Sequence, residues 1–151
     1  MCNNQLIQRL FDAVDGKCAN TVRHLVCNLG VPVDVLRSDL RNGETCLHRA
    51  CFQNDDVMVR LLIELGADKN KLNSYGESPL AIAIWNRSVE VVQELVEKAP
   101  EINVEGLSHV SLIDLAEHKD LLRILLRSSE NIRHKYECAL FLEAARHEMV
   151  D

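Results

Sequence analysis

Apolar residues recur through the middle of the chain at the spacing of a single helical face. Val59, Leu62 and Ile63 form one such set, and Val92, Leu95 and Val96 repeat it 33 residues later. Each set is bounded by helix punctuation. Asp55 and Ser88 stand where a side-chain oxygen can accept the free N–H groups that open a helix, and Gly66 stands where a chain leaves one in the left-handed conformation. A shorter apolar stretch precedes each set. Thr45 and Ser78 can cap it, and Pro79 occupies a first helical position, where its missing N–H costs nothing. The pattern predicts helix, turn, helix and then an extended turn into the next unit.

Setting the chain against itself at an offset of 33 places Gly43-Glu44-Thr45-Cys46-Leu47-His48-Arg49-Ala50 on Gly76-Glu77-Ser78-Pro79-Leu80-Ala81-Ile82-Ala83. A second step of 33 reaches His109 to Ala116. The hydroxyl at 45, 78 and 111, the aliphatic at 47, 80 and 113 and the alanine at 50, 83 and 116 all coincide. An earlier unit aligns at an offset of 37, with Leu10, Ala13, Val22 and Leu25 falling on Leu47, Ala50, Val59 and Leu62. The extra residues belong between Pro32 and Asn42. The fourth unit loses three residues between Ala116 and Leu125. One such unit cannot bury its own apolar face, so a fixed period of this length signals a stacked solenoid.

Gly43 to Cys51 and Leu61 to Asn70 resemble the ankyrin family, with cysteine standing where the family places its proline and its second alanine. Gly76 to Ile84 keeps the proline. The resemblance spans residues 5–130 and is closest in the middle two units. It implies an all-α ankyrin-repeat solenoid of stacked helix-turn-helix units with extended hairpin turns. Residues 1–151 then form one domain, with repeats at about 5–37, 38–71, 72–104 and 105–130. Residues 131–150 read as a capping helix, the alternative being a partial fifth repeat built on Leu140 to Ala145.

The resemblance also implies a function, the binding of a partner protein through a concave face. Carried over position by position, the free positions are Asp39, Arg41, Asn42, Glu44, Phe52 and Gln53 in the second unit. In the third they are Leu72, Ser74, Tyr75, Glu77, Trp85 and Asn86, and in the fourth Glu105, Leu107, Ser108, Val110, His118 and Lys119. Phe52, Trp85 and His118 share one slot at 33-residue spacing. Large aromatics on a rigid face are the usual anchors of interfaces. The opposing expectation for Phe52 and Trp85 is that they fold down between repeats. The aligned residues Asn70 and Asn103 each follow a leucine by eight positions, which is similar to the pattern that asparaginyl hydroxylases modify in ankyrin proteins. Bracing of the hairpin by the same side chains is the plainer reading.

Composition narrows the remaining classes. Apolar residues make up 47% of the 151 and aromatics only 4%, so the core is built from aliphatic and small side chains. A net charge of -6 argues against a phosphate-tracking surface, and no nucleic-acid partner is expected. No apolar run approaches the ~20 residues of a membrane span, and the first residues lack the pattern of a signal peptide. Six cysteines without a CxxC pair read as free thiols of a reducing compartment, which places the chain inside the cell, in the cytoplasm or the nucleus. Cys46, His48 and Cys51 lie close together, but the two cysteines fill slots that the family gives to apolar residues and no fourth ligand follows. No metal, cofactor or catalytic role is expected, and no phosphate loop or nucleophile elbow occurs. The chain therefore reads as a monomeric, non-catalytic interaction module that acts as an inhibitor or a scaffold. The rival reading is an accessory domain of a larger signalling enzyme.

Overall fold

The computed structural model describes residues 4–37, 42–97, 107, 118–128, 130, 133, 134 and 137. Seven helices run through these residues, with no strand among them: α1 Asn4–Asp15, α2 Ala19–Cys27, α3 Cys46–Phe52, α4 Asp56–Glu64, α5 Pro79–Trp85, α6 Val89–Glu97 and α7 Lys119–Ser128. They are too short to persist alone in water, so packing must hold them. The pairs α1/α2, α3/α4 and α5/α6 pack internally. Across pairs, α1 lies on α3 and α3 on α5, which makes an inner row. An outer row runs from α4 through α6 to α7. The packing of α2 is on α1, without comparable contact to α4.

The caps form as the sequence demands. Thr45 Oγ1 accepts from the His48 N–H at 3.4 Å, Ser78 Oγ from the Ala81 N–H at 3.2 Å and Asp55 Oδ1 from the Met58 N–H at 3.0 Å. Between the two helices of each of the first three units, one residue is left-handed: Lys17, Asn54 and Arg87, with φ of 55, 56 and 58°. The start of each outer helix is marked by the same backbone bond. The carbonyls of Cys18, Asp55, Ser88 and His118 accept from the N–H groups of Val22, Val59, Val92 and Leu122.

Aliphatic side chains from both rows form one continuous core, in which Leu10, Phe11, Leu25, Leu47, Leu62, Leu121 and Leu125 are fully buried. Ala50 and Ala83 have no exposed surface and let neighbouring inner helices approach closely. Cys46 and Cys51 are buried as small apolar groups. Loss of hydration pushes the Cys46 thiol up to about 12, helped by the nearby charges of Asp15 and Asp34, and raises Cys51 as well. Among the described residues no group of three or more His, Cys, Asp or Glu could hold a metal, and no helix is long and apolar enough to cross a membrane.

Polar groups stitch one unit to the next. The Nε2–H of His48 donates to the Glu77 carbonyl at 3.1 Å, and the Asp68 N–H donates to Asp34 Oδ1 at 2.9 Å. On the outer row, Arg60 pairs with Glu94.

Candidate interaction face

The tips at Gly43 and Gly76 lead directly into the inner helices α3 and α5. Phe52 and Trp85 end α3 and α5, where the next residue, Gln53 or Asn86, already caps the helix with its backbone N–H. Their rings cannot turn into a core already filled by Leu47, Leu80 and the alanines. They stand 58% and 59% exposed, and Tyr75 on the adjacent tip is 59% exposed. The expectation that Phe52 and Trp85 would fold down between repeats is overturned by these values.

The tips are ordered by their own polar groups. Asn73 Oδ1 accepts from the N–H groups of Tyr75 at 2.9 Å and Glu77 at 3.0 Å, which closes the turn, and its Nδ2 donates to Glu77 Oε2 at 2.9 Å. The Ser74 N–H donates to the Asn42 carbonyl at 2.8 Å, and Tyr75 Oη donates to Asn42 Oδ1 at 3.1 Å. Asn42 Nδ2 in turn donates to Glu44 Oε1 at 3.3 Å. The second and third tips are thus tied together, and Tyr75 is held upright beside the row.

Gln53 and Asn86 reach back to the preceding unit. The Nδ2 of Asn86 donates to the carbonyl of Phe52 at 3.0 Å, and Gln53 Nε2 donates to Asp15 Oδ1 at 2.7 Å. Both are half-buried braces that fix the slope of the face. Asp15 holds in the first unit the slot of Phe52, as the 37-residue offset dictates. It also accepts from Arg49 Nε at 2.7 Å and lies 4.0 Å from an Arg37 nitrogen. Arg49 lies over the Phe52 ring, 5.6 Å from its centre, and Arg37 over the buried Phe11 ring at 5.4 Å. Neither arginine was singled out by the sequence, because each sits at a position whose neighbours, not its own type, decide what it does. The alignment of Asp15 with Phe52 was the available signal.

Two of the expected contact residues do not join the row. Leu107 has no exposed surface and packs into the core, as an aliphatic chain without polar atoms should. His118 is one residue before α7, at the helix-opening position shared by Asp55 and Ser88, whereas Phe52 and Trp85 precede their outer helices by four residues. The three missing residues of the fourth unit therefore move His118 out of the aromatic slot. It is half-buried beside Arg87 and Val89, and its Nε2 has no hydrogen-bond partner. Leu72 is exposed at the third tip. Asn70 is half-buried, with its N–H on Asp68 Oδ1 at 2.9 Å. Arg41, Asn103, Asp39, Glu105, Ser108, Val110 and most of 131–150 lie outside the described residues.

A family model of ankyrin repeats in three copies matches residues 10–106. The chain belongs to the ankyrin repeat family. Such repeats are in general non-catalytic protein–protein interaction modules. This ankyrin chain is similar to human transient receptor potential cation channel subfamily A member 1, 34% identical over 73 residues, which are 48% of this chain and 6% of the channel. It is similar as well to the E3 ubiquitin-protein ligase KEG of Arabidopsis thaliana, 26% identical over 110 residues, covering 68% of this chain and 7% of the ligase. The chain thus spans a small fraction of these curated relatives. The crystal structure of EF0377, an ankyrin repeat protein, superposes with a TM-score of 0.68 at 25% identity, over 81% of this chain and 62% of that one.

Proposed function

We propose that this ankyrin chain binds a partner protein through the face that carries Phe52, Tyr75 and Trp85, and inhibits or scaffolds that partner inside the cell. The observation that carries the reading is the exposure of three large aromatic side chains, Phe52 and Trp85 at the ends of the stacked helices α3 and α5 and Tyr75 on the third tip. A monomer rarely leaves such groups together in water without a use for them. The braces hold the backbone beneath them, so little conformational entropy is lost when a partner settles there.

Affinity purification with the wild-type chain and with Trp85→Ala as bait tests this. Partners recovered by the first and lost by the folded second support the face. Recovery of the same partners by both would exclude Trp85 from the contact and overturn the reading.

A second reading rests on one observation, the small share of each relative that this chain matches. Under it, the repeats serve as an accessory domain of a larger signalling protein. The native mass of the endogenous product decides between the two.

A further inference from the structure

Asn42 and Gly43 form the one Asn-Gly pair in the chain. The backbone nitrogen that follows an asparagine can attack the side-chain amide carbon, and before glycine no Cβ obstructs that approach. Asn42 is partly exposed at the second tip. Both polar atoms of its side-chain amide are engaged: Oδ1 accepts from Tyr75 Oη at 3.1 Å, and Nδ2 donates to Glu44 Oε1 at 3.3 Å. The Gly43 N–H makes no hydrogen bond among the described residues. Two other asparagines precede short polar residues, Asn54 before Asp55 and Asn73 before Ser74. In both, the nitrogen that would attack is already spent. The Asp55 N–H donates to the Ala50 carbonyl at 3.1 Å, and the Ser74 N–H to the Asn42 carbonyl at 2.8 Å. Asn73 is also buried.

From this geometry we infer that Asn42 is a site of self-modification, in which the Gly43 nitrogen closes on the Asn42 side-chain carbon and ammonia leaves. The bond from that nitrogen to Cγ forms and the bond from Cγ to Nδ2 breaks. The proton of the Gly43 N–H passes through water to the departing nitrogen. The five-membered imide then takes up one water and opens at either carbonyl, which leaves aspartate or isoaspartate at position 42. No oxidant or cofactor enters. Negative charge gathers on Oδ1 as the ring closes, and the Tyr75 hydroxyl already donates to that atom. Its hydrogen bond is stronger to an oxyanion than to a neutral carbonyl, so Tyr75 favours the reaction. Aspartate at 42 replaces the donor to Glu44 with a second carboxylate, and like charges then face each other. Isoaspartate also turns the carbonyl that receives the Ser74 N–H into a free carboxylate. Either product loosens the tie between the second and third tips. Tyr75 is one of the exposed aromatics of the proposed contact, but the modification itself does not depend on that reading.

The test holds the folded chain at neutral pH over weeks and maps its peptides by mass spectrometry. The Asn42 peptide is expected to gain the mass of an amide-to-acid change well before those holding Asn54 and Asn73. An isoaspartyl methyltransferase is expected to label the same peptide. In Tyr75→Phe the conversion slows by about three- to tenfold, less than on loss of an enclosed oxyanion donor. In denaturant the Tyr75 contact is gone, and both chains are expected to react alike. Conversion of Asn42 no faster than that of Asn54 or Asn73 in the folded chain would overturn the site. Conversion that is equal or faster in folded Tyr75→Phe would overturn the role of the Tyr75 hydroxyl.

Discussion

His48 donates from Nε2 to the main-chain carbonyl of Glu77 at 3.1 Å, across 29 residues of sequence, and so fastens the second unit to the third. Its other ring nitrogen is an acceptor, receiving the Thr45 N–H at 3.2 Å and the Thr45 hydroxyl at 2.8 Å. Only the neutral ring can do both. Burial lowers the His48 pKa from 6.5, opposed in part by the Glu77 carbonyl and by the charges of Glu44 and Glu77. The unfolded chain takes up this proton near pH 6.5 and the folded chain resists it. The stability contributed by the neutral ring is therefore complete above that pH and is lost as pH falls below it. Denaturant titrations between pH 7.5 and 5.5 are expected to show this loss. A His48→Ala chain loses about 2–4 kcal/mol at pH 7.5, because the Thr45 N–H and the Glu77 carbonyl are orphaned, and it no longer shows the acid-dependent drop.

Trp85→Ala leaves the fold almost unchanged. More than half of the side chain is in water, so the expected loss is under about 1 kcal/mol. Truncating the buried Leu62 to alanine costs about 2–5 kcal/mol. Thermal denaturation of both variants separates them, and equal losses would place the indole in the core.

The left-handed turn residues store small strains. Arg87 has φ 58° with a full side chain, at the position where Asn54 suits the second unit better. Arg87→Gly is expected to raise stability by about 0.5–1 kcal/mol, and Asn54→Gly by less. The melting temperatures of the two variants rank them.

Gly43 and Gly76 hold the same tip position, with φ of 54 and 75°. A Cβ on Gly43 would lie 2.5 Å from Ser74 Oγ, whereas one on Gly76 meets nothing within 4 Å. Both alanine variants lose about 1–2 kcal/mol through backbone strain, and Gly43→Ala loses more. Adding Ser74→Ala restores part of that excess, which a four-member thermal denaturation cycle measures.

Asn70 is proposed as a hydroxylation site. Treatment of the folded chain with an asparaginyl hydroxylase is expected to add one oxygen atom, located to Asn70 by fragmentation mass spectrometry, and Asn70→Ala is expected to remove that product. An unchanged intact mass would count against the site.

The helices, their caps and the buried alanines were legible because each depends on local chemistry repeated at a fixed interval. Thr45, Ser78 and Asp55 bond within their own first turns, and Leu62 and Leu95 bury whichever neighbours they meet. The exposure of Phe52 and Trp85 followed from their slot. His118 did not follow, because counting residues from the preceding unit assumes that a deletion falls after the slot, and here it falls before. Leu107 was misplaced because a position counted as free by alignment does not keep an aliphatic side chain in water, and burying it is favourable. The cluster around Asp15 joins residues 34 and 38 positions apart through side chains, and no periodicity reports such a contact.

The scant contact between α2 and α4 sets how the stack comes apart. In a linear array each unit is held by its own folding and by the coupling to its neighbours, so the weakest coupling marks where cooperativity breaks. The first unit is joined to the second mainly through α1 on α3 and the ionic group at Asp15, while α3 to α6 are coupled along both rows. Between the first unit and α3 to α6, separation is expected to begin at that N-terminal junction. Amide exchange of α2 is expected to run ahead of that of α4 and α6, and a partner that reached from the first unit onto Phe52 would act as a clasp across the loose junction.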